Sequence, residues 1–429
     1  VIVRLTTRSA HSQSIVEIED RIDYKLKEYK KDAGKYVMMP AMARKRHIEV
    51  EKRMAALAEF SNHSPFNTIE WGSKKIGVIA AGIAYQYARE AFGDASFLKI
   101  GMVHPLPEKL IKEFASQVET LYVVEELEPF IENQIKKMGI NVIGKDVFPI
   151  TGELSANIIK EKIYGKSEGT EITIKNDDAP VRPPVMCPGC PHRGMFYVLK
   201  KLKLNVNGDI GCYTLGALAP MEAMDTCVCM GASIGMAHGM EKARGSEFGK
   251  KTVAVIGDST FIHSGITGLI DIVYNKGNAT VIILDNSITG MTGHQHNPTT
   301  GFTIKGEPTK QVDLVKLANA IGIERVRVVD PFDINEFEKV VKEEISADEP
   351  SVIISQRPCA LLKNVKYEGP LRINQEKCKI CKRCMSIGCP AIVNKGGHIE
   401  INEALCVGCR LCTKVCNFDA FEKAGGKCE

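Results

Sequence analysis

No apolar run in the chain approaches the ~20 residues that span a bilayer, so no membrane-spanning helix is expected. A dominant charge is also missing. The formal net charge is only +4 over 429 residues, which gives no strong field for nucleic acid or a membrane surface. Low-complexity tracts are absent, and no cysteine precedes Cys187. An initiator methionine is missing as well: the chain opens on Val1-Ile2-Val3-Arg4-Leu5, which predicts a piece of a longer or processed polypeptide.

What is present is ordinary globular composition, with 44% hydrophobic residues, and a length that accommodates roughly three domains at about 100–200 residues each. The exception is cysteine. There are 15, and eight of them fall between Cys378 and Cys416. A secreted disulfide framework would spread its cysteines through a much smaller chain. Tight C-x-x-C spacing in a large chain points to metal, and so to a reducing cytoplasm and an anaerobic or microaerobic cell.

Along the chain, a strand is expected at Val1–Thr7, then a charged helix at about Met42–Phe60, broken by a turn at Ser61–Pro65. Strands at Ile76–Ala80, Phe97–Val103, Leu121–Val124 and Asn141–Ile143 alternate with helices at Ala84–Ala91, Pro107–Gln117 and Pro129–Met138. Such alternation predicts parallel βαβ units. A polar, proline-ending linker at Lys166–Pro184 marks a domain boundary. A second α/β block follows, with strands at Thr252–Ile256, Thr280–Leu284, Arg325–Val329 and Ser351–Ser355 and helices at Gly231–Lys242, Gly265–Tyr274 and Gln311–Ala320. The expected domains are therefore 1–70, 71–165, 180–362 and 367–429.

The last of these carries two cysteine runs. Cys406-x2-Cys409-x2-Cys412-x3-Cys416 has the spacing of a bacterial two-cluster ferredoxin. Cys378-x2-Cys381-x2-Cys384-x4-Cys389-Pro390 is one residue longer before its fourth cysteine. Three closely spaced thiolates can wrap one face of a cubane, and the fourth of each run reaches to the other cluster. One [4Fe-4S] cluster is thus expected on Cys378, Cys381, Cys384 and Cys416, and the other on Cys406, Cys409, Cys412 and Cys389. The competing reading is zinc, which usually takes two pairs per site rather than two triplets each followed by a fourth cysteine. Asn417 stands where a proline is usual after the second run.

In the second α/β block, one strand runs into Gly257-Asp258-Ser259 and the next into Asp285-Asn286. A carboxylate and an amide at the carboxyl ends of parallel strands lie where open α/β sheets bind ligands. Their hard oxygens suit Mg²⁺, which in turn bridges a diphosphate. Gly257 permits close backbone approach, and the helix after Ser259 would aim its N-terminus at anionic oxygen.

This pair resembles the motif of thiamine diphosphate enzymes, usually Gly-Asp-Gly and then Asn-Asn, with Ser259 and Asp285 as departures. Nearby stand Cys187-Pro-Gly-Cys190-Pro-His192-Arg193, Gly208-Asp-Ile-Gly-Cys212-Tyr-Thr-Leu-Gly216 and Gly290-Met-Thr-Gly-His-Gln295, with Arg4-Leu-Thr-Thr-Arg8 near the start. Together with the cysteine runs they resemble, over essentially the whole chain, the alpha-subunit family of indolepyruvate ferredoxin oxidoreductases. These belong to the thiamine diphosphate-dependent 2-oxoacid:ferredoxin oxidoreductases. Cys-Pro-Gly-Cys-Pro-His is the most specific piece, since pyruvate-type relatives usually carry Cys-Pro-Gly-Cys-Gly.

The resemblance implies transketolase-like parallel-sheet domains followed by a small two-cluster ferredoxin-type domain, with residues 1–70 as the tail of a pyrimidine-binding domain. It implies that Asp258, Asn286 and the carbonyl of Ile288 ligate Mg²⁺ beneath thiamine diphosphate. The implied reaction converts an aryl pyruvate such as indole-3-pyruvate, coenzyme A and two oxidised ferredoxins to an arylacetyl-CoA, CO₂ and two reduced ferredoxins. The implied partner is a smaller beta subunit, and the glutamate that activates the cofactor is expected in a preceding segment. Cys187, Cys190, Cys212 and Cys359 match positions that hold a third cluster in relatives; the other reading is buried structural thiols. His192 and His294 are candidates to face the cofactor, and no role is read for His296. Cys227 and Cys229 are expected to be packing residues, the methionines from Met221 to Met240 core filling, and Cys428 without function. Two other readings stay open: the same chemistry on pyruvate or 2-oxoglutarate, and a polyferredoxin-like electron carrier without thiamine.

Overall fold

The computed structural model describes residues 2, 3, 5, 10, 12–166 and 183–424. The expected strand Val1–Thr7, the Arg4–Arg8 motif, the Lys166–Pro184 linker and Cys428 fall wholly or mostly outside these. Two compact units form, Val1–Asp178 and Ala179–Glu429.

In the first unit a helix runs Pro40–His63, with proline in its first turn, where a missing N–H costs nothing. It continues through Ser61–His63, where the sequence predicts a break. Ser61 and Asn62 spend their polar groups on tertiary partners instead of ending the helix: Asn67 Nδ2 donates to the Ser61 carbonyl at 2.8 Å, and Asn62 Oδ1 accepts the Lys109 N–H at 3.0 Å. Strands β1 (Thr68–Glu70), β2 (Ser73–Ala81), β3 (Ala95–Ile100) and β4 (Thr120–Val124) make a sheet of order β1-β3-β2-β4. It is parallel except for the unanticipated edge strand β1, which runs antiparallel to β3. The expected strand Asn141–Ile143 amounts to a single bridge between Ile143 and Tyr122. The chain turns away at Gly144, whose carbonyl accepts the N–H groups of Val147 and Phe148.

The second unit is built on six all-parallel strands: β5 (Asn205–Gly208), β6 (Thr226–Cys227), β7 (Thr252–Gly257), β8 (Thr280–Asp285), β9 (Arg325–Val329) and β10 (Ser351–Gln356). Their order is β6-β5-β7-β8-β10-β9. Every residue of β7 and β8 is buried, as expected of a parallel sheet covered on both faces. Side chains alternate between the two layers. Val253, Val255, Ile282, Leu284 and Ile353 pack with helices His192–Leu202 and Ile334–Ile345. Ala254, Ile256, Val281, Ile283 and Ile354 pack with helices Ala232–Arg244, Ile266–Tyr274 and Leu314–Ile321. Helices His192–Leu202 and Ile334–Ile345 are not among the sequence-based expectations, nor are β5 and β6. Strand β5 reads Asn-Val-Asn-Gly and carries no apolar run to reveal it.

The last segment adds an antiparallel pair of β11 (Leu371–Ile373) with β14 (Phe421–Lys423), and a hairpin of β12 (Ile392–Lys395) with β13 (His398–Ile401). Leu371, Ile387, Ile399, Leu411 and Val415 join the same core as helix His192–Leu202, so the cysteine-rich segment is fused to one face of the sheet. Among the described residues no helix is long and apolar enough to cross a membrane.

Phe337 is fully buried at the centre of that shared core. Its replacement by alanine is expected to cost about 3–5 kcal/mol, while Ile304→Ala, at an exposed site, should stay within about 0.5 kcal/mol. Urea midpoints of the two variants against the native chain check this.

Candidate functional site

Because β5, β7, β8 and β10 are adjacent and parallel, the chain leaves all four at one edge of the sheet. The segments that follow carry Cys212, Asp258, Asn286 and Cys359 respectively. This is the edge where open α/β sheets form their ligand crevice.

Asp258 is 3% exposed and opens the helical stretch after β7. Its Oδ1 accepts the Ser259 N–H at 2.8 Å, while Oδ2 accepts Asn297 Nδ2 at 3.2 Å and lies 3.0 Å from the Thr299 hydroxyl. Burial, with the repulsion of Asp285 added, pushes its carboxyl up to about 6. A divalent cation at this point would offset that cost. Asp285 itself is spent on the scaffold, accepting the Ser287 N–H at 3.0 Å and Gln356 Nε2 at 2.8 Å. Asn286 is 8% exposed and its Oδ1 accepts the Ile288 N–H at 3.3 Å, so Asn286 and Ile288 form one tight turn. A Cβ at Gly257 would meet the Tyr213 ring at 2.9 Å, so only glycine lets that ring close over the strand end. A π-turn at Phe261–Gly265 interrupts the helix that Asp258 begins, a distortion frequent at functional sites. Asn297 and Thr299 escaped the sequence reading. Their only signal is position, just past the Gly290–Gln295 motif.

The thiols of Cys187, Cys190, Cys212 and Cys359 form one electrostatic group. Burial pushes Cys190 up to about 12, helped by Cys187 and Cys212, and Cys212 is raised by burial and then by Cys359 and Cys187. The group abuts the Asn286 turn. The Cys359 N–H donates to the Asn286 carbonyl at 2.9 Å, and a Cβ on Gly290 would lie 3.6 Å from Cys212 Sγ and 3.9 Å from Asn286 Nδ2. His192 is buried, edge-on to Tyr213 with ring centroids 5.8 Å apart. Burial, and secondarily the Arg193 charge, push its pKa down to about 4, so it stays neutral. His294 is exposed on its loop in a left-handed conformation, and His296 contacts Thr300 and Phe302. Contrary to expectation, Cys227 and Cys229 are exposed, because they precede helix Ala232–Arg244 at the sheet's β6 edge. Of the methionines from 221 to 240, Met221 is buried but Met230 is 57% exposed, so the run is not uniformly core.

The C-terminal segment encloses two cavities. Cys406, Cys409, Cys412 and Cys389 surround one, with Ile387, Ile392 and Leu411. Cys378, Cys381, Cys384 and Cys416 surround the other, with Ile373, Ile399 and Phe421. Both runs trace the same backbone. Ile380 and Gly408, and then Lys382 and Arg410, hold positive φ at equivalent places. Such alternation forms concave nests of N–H groups suited to anionic sulfur centres. An isoleucine at φ 52 is an uncommon conformation, and a Cβ on Gly408 would stand 1.9 Å from the Gly369 carbonyl oxygen. Burial pushes Cys384 up to about 11 and Cys412 well above the usual thiol range, so any metal held here would have to displace protons. Among the described residues, no three His, Cys, Asp or Glu side chains close on a single ion.

Residues 209–355 match the thiamine pyrophosphate enzyme C-terminal TPP-binding domain, which contains the strand-end crevice. Two solved structures are distantly similar. One is a 2-oxoglutarate:ferredoxin oxidoreductase from Magnetococcus marinus (18% identity, 46% of this chain and 71% of that one, TM-score 0.38), and the other a thiamine diphosphate-dependent 4-hydroxybenzoylformate decarboxylase from Rhodococcus jostii RHA1 (16%, 72% and 64%, TM-score 0.32). Curated relatives match 99% of this chain, which spans about three quarters of their own length. Indolepyruvate oxidoreductase subunit IorA of Pyrococcus abyssi is 38% identical over 474 residues, covering 99% of this chain and 73% of that protein. The Archaeoglobus fulgidus subunit is 35% identical over 453 residues, covering 99% and 72%. With identity above 30% over 99% of its length, the chain belongs to the indolepyruvate oxidoreductase subunit IorA family.

Proposed function

We propose that this chain carries the cofactor-binding and electron-transfer parts of a ferredoxin-dependent aryl-pyruvate oxidoreductase. The reaction takes indole-3-pyruvate or a related aryl pyruvate, coenzyme A and two oxidised ferredoxins to the arylacetyl-CoA, CO₂ and two reduced ferredoxins. A smaller beta subunit completes the enzyme. The observation that carries the reading is the pair of four-cysteine cavities beside a thiamine-type crevice on one sheet.

Asp258, Asn286 and the Ile288 carbonyl are the donors for Mg²⁺, and their oxygen chemistry fits that ion. Asn297 and Thr299 orient the Asp258 carboxylate. Thiamine diphosphate, when bound, supplies the electron sink for decarboxylation. Tyr213 and the buried ends of β7 and β8 keep water from the crevice. The first cluster is assigned to Cys378, Cys381, Cys384 and Cys416 and the second to Cys406, Cys409, Cys412 and Cys389; both supply one-electron acceptors. Cys187, Cys190, Cys212 and Cys359 fit a third. Reduction of ferredoxin by the holoenzyme, compared across indolepyruvate, phenylpyruvate, pyruvate and 2-oxoglutarate, tests the substrate. A preference for pyruvate overturns the aryl-pyruvate reading.

Two further outcomes are expected. Mg²⁺-dependent thiamine diphosphate binding, followed by titration calorimetry, should vanish in Asp258→Ala. In Thr299→Val it should weaken about 10–100-fold, the usual effect of losing a group that orients a ligand. Iron and acid-labile sulfide in anaerobically purified protein should reach about eight per chain for two cubanes, or about twelve if the third site is filled. Gly408→Ala should lower that figure by about four, the content of one cubane, while Ile380→Gly retains the native value.

A further inference from the structure

Resting on the cluster assignment above, one buried group remains unexplained by it. Arg193 is 3% exposed and follows the Cys187–Cys190 pair at the start of helix His192–Leu202. Its guanidinium is pinned from both sides. Nε donates to the Cys187 carbonyl at 3.1 Å, Nη2 donates to the Met186 carbonyl, and Nη1 reaches the Ile387 carbonyl of the cysteine-rich segment at 3.0 Å. Those carbonyls satisfy its donors but carry no net charge.

A buried cation needs an anion, because taking it from water unpaired is prohibitive. Among the described residues no carboxylate lies at ion-pair distance from Arg193. The groups it adjoins are cysteines instead: it bonds the Cys187 carbonyl and follows Cys190 by three residues. It also lines the cavity ringed by Cys389, Cys406, Cys409 and Cys412. Cysteine holds iron as the thiolate, so a loaded cavity would supply the negative charge that the carbonyls lack. Arg410, which also lines this cavity, and Arg357 already have counter-ions: Arg410 Nη2 lies 2.5 Å from Glu368 Oε2, and Arg357 Nη1 2.5 Å from Asp330 Oδ2. The cations that line the other four-cysteine cavity, Lys379, Lys382 and Arg383, are all exposed to water.

We propose that Arg193 is a positioning and tuning residue for electron transfer, a fixed buried cation that stabilises the reduced form of the second cluster and links it electrostatically to the Cys187–Cys190 thiolates. One-electron reduction adds one negative charge to the cluster with no proton or bond change, so a nearby unscreened cation favours the reduced state. The second cluster is therefore the more readily reduced of the two.

The test is a potentiometric titration of the cluster-loaded chain with a titanium(III) reductant, followed by electron paramagnetic resonance, for native protein, Arg193→Gln and Arg193→Lys. Glutamine keeps amide donors for the carbonyls but no charge, and lysine keeps the charge. Arg193→Gln should lower the reduction equilibrium of one wave at least tenfold, about 59 mV for one electron, and leave the other in place. Arg193→Lys should stay within threefold of native. Iron lost from one cluster in the glutamine protein but retained in the lysine protein also supports the role, since the charge is then what holds the cluster. A glutamine protein with both waves unmoved, or a lysine protein that shifts or loses iron as far as the glutamine one, overturns it. Native protein devoid of iron–sulfur signal would instead sink the cluster assignment itself.

Discussion

Everything at the site depends on strand direction. An all-parallel sheet discharges every chain segment at one edge, and four neighbouring strands, β5, β7, β8 and β10, send Cys212, Asp258, Asn286 and Cys359 to the same place. Had one of the four run antiparallel, its side chain would lie a full strand length away. Strands β7 and β8 are apolar on both faces, which suits a parallel sheet covered by helices on both sides.

The second constraint is electrostatic. This unit of the structure buries a carboxylate, several thiols and a guanidinium, and every one of these is pushed toward its neutral form by loss of water. The polypeptide supplies partial compensation: Ser259 and Asn297 donate to Asp258, and three carbonyls accept from Arg193. A divalent cation at Asp258 and iron at the cysteines complete it in the proposed enzyme. Low solvent access also strengthens each of these interactions.

The cysteine-rich segment shows how close packing turns a sequence motif into a shared device. Cys187-Pro-Gly-Cys190 lies against the second cysteine run, and Gly189 is what permits it: a Cβ there would meet the Val407 side chain at 2.7 Å. The apolar residues of the segment merge with the core under helix His192–Leu202. Arg193 spans the join, bonded to the segments on both sides.

Much of this was legible beforehand. The cysteine spacing, the Gly-Asp at one strand end and the Asp-Asn at the next are local patterns, and a fixed ligand spacing stays visible in any tertiary arrangement. Strands of continuous Val and Ile, such as Thr280–Asp285, announce themselves by composition. Strand β5, with its polar Asn-Val-Asn-Gly, does not, and its place in the sheet comes from pairing with β7. Likewise Asn297, Thr299 and Arg193 are unremarkable in the sequence and acquire meaning only from the partners that distant segments bring to them. By itself the sequence determined which groups could bind metal, since ligand chemistry resides in side-chain type and spacing. Which of those groups share one low-dielectric space was decided by tertiary structure alone, because burial and long-range charge pairing depend on residues far apart in the chain.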